Sequence, residues 1–192
     1  MRIAVDIDDT LNIVERAKRA GLYIARKNLP FKLKDENSNM FVNVYDWTFA
    51  DVTEFMLDGG VSAFTEAKAR KGAREALAGW RKAGHEVIIL TARQKDWFGN
   101  PAMLSRDWLE KRKIPYDEIV AEHWDKGAYC KAHGISVLVD DTPDILKEAE
   151  SYGITGVLAV GRHNLDRVGE FRYYGENWQQ IDEAVQRIAR QG

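Results

Sequence analysis

Short, continuous apolar runs alternate with amphipathic helical segments along most of this chain of 192 residues. Apolar runs without intervening polar residues are typical of strands that are covered on both faces of a sheet. They occupy residues 3–5, 87–90, 137–139 and 156–160, with a weaker run at 118–121. The order strand, helix, strand, helix predicts an α/β fold in which a parallel sheet lies between two layers of helices.

Local signals indicate where several of these helices begin and end. Asn100 precedes Pro101, which is typical of an N-cap residue followed by a proline in the first helical turn. Gly84 and Gly153 stand where helical patterns stop, as glycines that adopt a left-handed conformation often do.

One segment breaks the alternation. Residues 28–64 contain no clear strand and helix pattern, but they are rich in aromatic side chains. A plausible helix precedes them, with Ile13, Ala17, Ala20 and Ile24 on one face. We expect residues 11–64 to form a small helical cap inserted after the first strand, and residues 1–10 and 65–192 to form the α/β core.

The charge balance argues against binding to nucleic acids or anionic membranes. Lys and Arg number 28 against 30 Asp and Glu, so no basic field favours nucleic acid or an anionic membrane. No apolar stretch approaches the roughly 20 residues that span a bilayer. The single cysteine, Cys130, suits a reducing compartment. We therefore expect a cytoplasmic protein without nucleic-acid or membrane partners; a homodimer stays open.

Acidic residues follow two of the predicted strands. Asp6 and Asp8 come directly after the first run, and Asp140 and Asp141 follow the third. Ligands bind at the carboxyl ends of strands in open parallel sheets, where these side chains should meet. Mg²⁺ prefers oxygen ligands and often joins one or two carboxylates to a substrate phosphate. The pattern predicts a magnesium-dependent phosphoryl-transfer site, because one Asp can act as nucleophile while another protonates the leaving group.

Four motifs in this order resemble those of the haloacid dehalogenase superfamily of phosphohydrolases. They are DIDDT at 6–10, ILTAR at 89–93, DKGAYC at 125–130 and VLVDDTPD at 137–144. The resemblance implies a Rossmann-like three-layer fold. A narrower similarity, to the 5'-deoxyribonucleotidase group and its bacterial nucleotidase relatives, depends on YDWT at 45–48, EFM at 54–56, GHEVIILTAR at 84–93 and IPYDEIV at 114–120.

The resemblance also implies roles for the first two motifs. Asp6 would be the nucleophile that forms an aspartyl-phosphate, and Asp8 would act first as general acid and then as general base. Thr91 would hydrogen-bond the phosphoryl oxygens, with Ala92 and Arg93 beside it as further substrate-binding candidates. Arg93 would either contact the substrate phosphate or line the loop that follows.

The third and fourth motifs supply a cation and metal ligands. Either Lys126 or Lys131 could serve the third motif, and we favour Lys126 because it precedes the presumed helix and lies nearer the strand edge. The resemblance implies that Mg²⁺ is held by Asp6, the backbone carbonyl of Asp8, Asp140 and Asp141. Position 9 departs from the family, since Asp9 stands where Gly is common.

These roles predict a Mg²⁺-dependent phosphomonoesterase that acts on a small soluble phosphate ester, best a (deoxy)nucleoside monophosphate. The alternatives are a phosphatase for sugar phosphates or nucleic-acid ends, and a metal- and phosphate-binding module without turnover. The cap aromatics Phe41, Tyr45, Trp47 and Phe49 could stack on a base or form the cap's own core. The four histidines show no metal-ligand spacing, and we interpret all of them as surface or loop residues.

Overall fold

A six-stranded parallel sheet forms the centre of the molecule, which is a computed structural model that describes residues 1–191. Residue 192, the last of the predicted core range, lies outside the described residues. The strands along the chain are β1 (Arg2–Val5), β2 (Asn12–Ile13), β3 (Lys68–Ala69), β4 (Glu86–Leu90), β5 (Glu118–Val120), β6 (Val137–Asp140), β7 (Thr155–Ala159) and β8 (Tyr174–Gly175). The sheet has the order β5-β4-β1-β6-β7-β8, and β2 pairs with β3 separately.

Ten α-helices accompany the strands within residues 1–191. They are α1 (Arg16–Lys27), α2 (Phe41–Val44), α3 (Phe49–Phe55), α4 (Ser62–Thr65), α5 (Ala73–Lys82), α6 (Lys95–Phe98), α7 (Pro101–Lys111), α8 (Lys126–Ala132), α9 (Pro143–Ser151) and α10 (Trp178–Ala189). A π-helical turn covers Met56–Gly60, and a 3-10 helix covers Arg162–Glu170. Across residues 1–191, every helix is too short or too polar to traverse a lipid bilayer.

The sheet is covered on both faces, as its continuous apolar strands require. β1 lies between β4 and β6, and Val5 is in register with Ile89 on one side and Val139 on the other. Apolar residues of α5, α7 and α10 pack on one face, and those of α8 and α9 pack on the other. The predicted α/β fold with a parallel sheet between helices is confirmed.

The helix boundaries follow the local sequence signals. The Asn100 side chain accepts a hydrogen bond of 2.9 Å from the Met103 amide, with Pro101 in the first turn of α7. Gly84 and Gly153 both have a φ of 82° just after α5 and α9, a conformation that glycine adopts without strain.

The segment between β2 and β3 contains α1 to α4, so it is helical as expected. Phe41, Trp47, Phe55 and Phe64 are buried in one aromatic cluster that forms its core. The β2 and β3 strands pair antiparallel and bring the two ends of the segment together. The boundaries 11–64 for a separate cap stay a prediction.

Two elements differ from the sequence-based expectations. The helix expected from Ile13 begins at Arg16, because Ile13 lies in β2 and is 52% exposed. β8 carries no apolar run, since it is only two residues long and its burial comes from packing against α10. Neither feature has a periodic pattern in the sequence.

Candidate active site

The acidic residues expected at one edge of the sheet do meet there. Asp6 follows β1 and continues its ladder, since its amide donates to the Val139 carbonyl at 3.0 Å. Asp140 and Asp141 stand at the end of the neighbouring β6, and Thr91 follows β4 on the other side. All four residues are buried. The carboxyl edges of the three central strands therefore enclose a polar cluster within the protein.

Lys126 is the cation at the centre of this cluster. Its Nζ donates to Asp6 Oδ1 and to Asp140 Oδ2, both at 2.6 Å, and the side chain is 2% exposed. Lys126 is the first residue of α8, and Asp125 before it is the N-cap. Lys131 is on the same helix but is exposed. The structure therefore places Lys126, and not Lys131, beside the carboxylates.

Negative charge exceeds positive charge in this buried space. Burial and the charges of Asp140, Asp141 and Asp8 raise the pKa of Asp6 well above its usual value, although Lys126 acts in the opposite direction. Burial acts to lower the pKa of Lys126, but the two carboxylates that accept its hydrogen bonds, Asp140 and Asp6, raise it. Lys126 is thus held as a cation, but one cation does not neutralise the surrounding carboxylates.

Asp8 lies in a different environment from Asp6. Arg93 donates to both of its oxygens, from Nε to Oδ2 at 2.8 Å and from Nη2 to Oδ1 at 2.7 Å. Asn12 donates a further bond of 2.8 Å to Oδ1. Burial would raise the pKa of Asp8, but the charge and hydrogen bonds of Arg93, with the bond from Asn12, outweigh burial and lower the pKa. The two acids of the first motif therefore differ, because the pKa of Asp6 is raised and the pKa of Asp8 is lowered.

The turn after Asp8 is fixed by side-chain contacts. Asp9 has a φ of 62°, and its amide donates to Asn12 Oδ1 at 2.8 Å. Its own carboxylate accepts from the Val14 amide at 3.0 Å and forms an ion pair with Arg16. These bonds hold a non-glycine residue in the left-handed region, which an L-residue rarely adopts. The departure from glycine at this position is therefore compensated locally.

The adjacent acids Asp140 and Asp141 have separate partners. Asp140 accepts from Lys126 with one oxygen and from the Thr142 amide with the other, at 2.8 Å. Asp141 accepts from Thr10 at 3.2 Å and from Asn39 at 3.4 Å, and its Oδ2 lies 2.8 Å from Nε2 of His163. Asp140 thus holds Lys126, whereas Asp141 faces the helical segment and the 3-10 helix.

A divalent cation fits the chemistry of this cluster. Within residues 1–191, no three His, Cys, Asp or Glu side chains are already arranged around a common metal position. The donors are nevertheless hard oxygen atoms, and a divalent cation would neutralise the carboxylates that, after burial itself, raise the pKa of Asp6. Both oxygens of Asp140 and both oxygens of Asp141 have protein partners, whereas in the described residues Asp6 is engaged by Lys126 at Oδ1 and not at Oδ2.

The second motif contributes a hydroxyl and the arginine. Thr91 is 1% exposed, and its Oγ1 accepts from the Arg93 amide at 3.4 Å. The Ala92 carbonyl accepts from the Gln94 side chain at 3.0 Å. Arg93 turns toward Asp8 and away from solvent, so it does more than line the loop. Substrate binding by Thr91, Ala92 and Arg93 stays a prediction.

Sequence reasoning missed several residues that contact the acids. Asn12 and Asn39 were not singled out, and interpreting His163 as an ordinary surface or loop residue was wrong. His163 follows β7, the next strand at the same sheet edge, so its position relative to the run at 156–160 could have indicated it. The side-chain Nδ2 of Asn164 also donates to the Asp141 backbone carbonyl at 2.6 Å.

A cleft of about 660 Å³ lies beside the cluster, between the helical segment and the core. Asp9, Asn12, Asn39, Arg70 and His163 are among the residues that line it. None of the four cap aromatics considered as base-stacking residues lines this cleft. Phe41 and Trp47 lie in the aromatic core, Tyr45 packs against it, and Phe49 is 68% exposed. Polar residues of the helical segment therefore face the cluster.

No protein-family model and no curated protein matches this sequence. Solved structures do match. A haloacid dehalogenase-like family hydrolase from Streptococcus pneumoniae is 12% identical with a TM-score of 0.67, covering 100% of this chain and 98% of that one. A predicted phosphoglycolate phosphatase from Haemophilus somnus is 15% identical with a TM-score of 0.67, covering 97% and 96%.

CbbY from Rhodobacter sphaeroides, in complex with xylulose-1,5-bisphosphate, is 14% identical with a TM-score of 0.61, covering 92% of this chain and 94% of that one. Each match extends over nearly the whole of both chains, so the likeness includes the sheet and the helical segment together. The chain therefore has the three-layer α/β fold of the haloacid dehalogenase superfamily hydrolases.

Proposed function

We propose that this protein is a phosphomonoesterase that works through an aspartyl-phosphate on Asp6. The observation that carries the proposal is the pairing of buried Asp6 with Lys126 at the sheet edge, next to a second acid in a separate environment. The two carboxylates have separate partners, because Lys126 binds Asp6 and Arg93 binds Asp8. Arg93 lowers the pKa of Asp8, which stabilises the carboxylate that remains after Asp8 has donated a proton. A structural role would not require two such acids after one buried strand.

In the first half-reaction, a carboxylate oxygen of Asp6 attacks phosphorus and the bond from phosphorus to the ester oxygen breaks. Asp8 gives its proton to the departing oxygen, which leaves as an alcohol. In the second half-reaction, Asp8 takes a proton from water as the water oxygen bonds to phosphorus and the bond between phosphorus and the Asp6 oxygen breaks. Inorganic phosphate is released and Asp6 is regenerated.

Lys126 and Thr91 support these steps by binding. Lys126 neutralises negative charge shared by Asp6 and the phosphoryl group, and the Thr91 hydroxyl donates to a phosphoryl oxygen. Mg²⁺ would be held by Asp6, Asp140, Asp141 and the backbone carbonyl of Asp8, and it would supply Lewis-acid stabilisation of phosphoryl charge when bound.

The proposed substrate is a small phosphate ester, and a (deoxy)nucleoside monophosphate is the first candidate. The motifs that resemble the 5'-deoxyribonucleotidase group support this choice. Sugar phosphates are the second candidate, because one structural neighbour carries a sugar bisphosphate and another is described as a phosphoglycolate phosphatase. The polar lining of the cleft beside Asp141 suits either kind of leaving group.

Phosphate release from a panel of nucleotides, sugar phosphates and phosphorylated oligonucleotides, with Mg²⁺ and with chelator, tests the proposal. We expect turnover with Mg²⁺ and its loss in Asp6→Asn, which lacks the attacking carboxylate. Asp144→Asn is the matched control, since Asp144 lies in the first turn of α9, its side chain is 82% exposed and it pairs with Arg167 at the surface. A wild-type chain that releases no phosphate from any ester, or an active Asp6→Asn variant, would contradict the proposal.

A further inference from the structure

Arg93 makes contacts that substrate binding alone does not explain. The residue is 3% exposed, and its guanidinium donates from Nε and Nη2 to both oxygens of Asp8. Its Nη1 donates to Oγ of the fully buried Ser105 on α7 at 3.2 Å. The group lies 5.4 Å from the ring centre of Phe98 and 6.0 Å from that of Phe64. The guanidinium is thus enclosed and occupied by protein partners.

This enclosure directs Arg93 toward one carboxylate. A planar guanidinium that donates two parallel bonds fixes both the position and the rotation of the carboxylate that accepts them. Ser105 and the two aromatic rings fix the guanidinium in turn. These bonds engage three of the five guanidinium N–H groups, and because the side chain is 1% exposed, a bound phosphate has little access to the other two.

The remaining contacts of Asp8 distinguish its two oxygens. Among residues 1–191, Oδ1 accepts from both Arg93 and Asn12, whereas Oδ2 accepts only from Arg93. A carboxylate has about four lone-pair positions, two on each oxygen. Oδ1 is therefore filled, and Oδ2 keeps one position that can carry a proton.

We propose that Arg93 is a positioning residue that fixes Asp8 for proton transfer at Oδ2, and that it does not bind the substrate phosphate. This inference rests on the proposed function. In the first half-reaction the proton on Oδ2 passes to the ester oxygen as its bond to phosphorus breaks, and the carboxylate that remains keeps both bonds from Arg93. In the second half-reaction the same oxygen accepts a proton from the attacking water.

Leaving-group dependence separates this role from the others. An aryl phosphate has a good leaving group and needs little protonation, whereas an alkyl phosphate needs the acid. We expect Arg93→Met to lower kcat for the alkyl ester by about 100-fold, within the range for general acid catalysis, and to lower kcat for the aryl ester much less. KM and inhibition by inorganic phosphate should change little. Arg93→Lys keeps the charge without the planar group, so its kcat for the alkyl ester should lie between those of the wild type and Arg93→Met.

A double mutant provides the second readout. If Arg93 acts through Asp8, adding Arg93→Met to Asp8→Asn should cause no further loss with the alkyl ester, because residues that act as a unit are not additive. Arg112→Met is the matched control: this arginine is half-buried, stacks on Trp108 and donates to the Trp108 carbonyl. We expect it to leave the ratio of the two rates unchanged. Ser105→Ala removes only the third contact and should lower the alkyl rate several-fold if Arg93→Met fails to fold.

Other outcomes would overturn the inference. Equal losses for both esters with a raised KM and weaker inhibition by phosphate would show that Arg93 binds phosphate directly. Equal losses with unchanged KM and a lowered melting temperature would indicate a structural role only, and an unchanged rate ratio in Ser105→Ala and Arg93→Lys would also contradict positioning. If the wild-type chain hydrolyses neither ester, the proposed function itself fails; if it hydrolyses both, only the role of Arg93 is in question.

Discussion

Lys126 carries its charge where a lysine would be costly without partners. Its side chain is 2% exposed, and two carboxylates accept its hydrogen bonds at 2.6 Å. Desolvation of such a group offsets much of the attraction, so the interaction is weak evidence for stability. Removing only the cation, however, leaves Asp6 and Asp140 buried without it. The arrangement therefore depends on Lys126 much more than the net energy of the pair suggests.

We expect Lys126→Met to lower the free energy of unfolding by about 3–5 kcal/mol, the usual cost of leaving a buried charge unpaired. Adding Asp140→Asn should recover part of that loss, because it removes one of the two unpaired charges. Urea unfolding of the single and double mutants measures both effects. Lys131→Met, an exposed position on the same helix, is the control and should change stability by less than about 0.5 kcal/mol. Equal losses in the two lysine variants would contradict the burial argument.

Helix α8 is held against α9 by close backbone contact at Gly127. A Cβ placed at Gly127 would lie 2.8 Å from Cδ2 of Tyr152 and 3.0 Å from the Ala149 Cα. The second atom belongs to the backbone of α9 and cannot rotate away. Because Gly127 is adjacent to Lys126, the spacing of these two helices also determines where the buried ammonium group lies.

We expect Gly127→Ala to destabilise the protein by about 1–3 kcal/mol, the usual cost of overpacking. The matched control is Gly79→Ala in α5, where an added Cβ meets no atom within 4 Å. That substitution should stabilise the protein by about 0.5–1 kcal/mol, because glycine is a poor residue in a helix interior. Thermal unfolding of both variants measures the two stability changes. If both variants are stabilised or both destabilised, the close contact between α8 and α9 at Gly127 does not determine the effect.

In the whole molecule, the helical segment and the core meet at the acidic cluster. Asn39 of the helical segment contacts Asp141, and Phe64 of the same segment lies over Arg93. The aromatic side chains of the segment are used for its own packing. The choice of leaving group is thus expected to depend on polar residues such as Asn39, rather than on the aromatics.

We expect Mg²⁺ to raise the melting temperature of a sample first treated with chelator, because it binds the folded carboxylates and not the unfolded chain. At about 100 times its Kd, a ligand stabilises the folded state by about 2.7 kcal/mol. Asp141→Asn should abolish most of this shift, while Asp144→Asn, at an exposed carboxylate, should retain it. Equal shifts in both variants would place the bound ion elsewhere.

Local patterns in the sequence determined the main features of the fold. Continuous apolar runs identified the five longest strands of the sheet, and their order along the chain with intervening helices required parallel pairing. Parallel pairing places the carboxyl ends of β1, β4 and β6 at one edge, so the meeting of Asp6, Thr91 and Asp140 could be predicted. All of these features depend on periodicity and residue order, which the sequence contains directly.

The tertiary structure alone decided which side chains pair. Arg93 reaches Asp8 across 85 positions of sequence, and Lys126 reaches Asp6 across 120. His163 and Asn39 both contact Oδ2 of Asp141, although Asn39 is 102 positions away in the sequence. Such contacts depend on how helices pack on the sheet and how the helical segment closes over it, and neither leaves a periodic signal. The sequence therefore determined where the acids lie, while long-range packing determined the partner, charge and orientation of each.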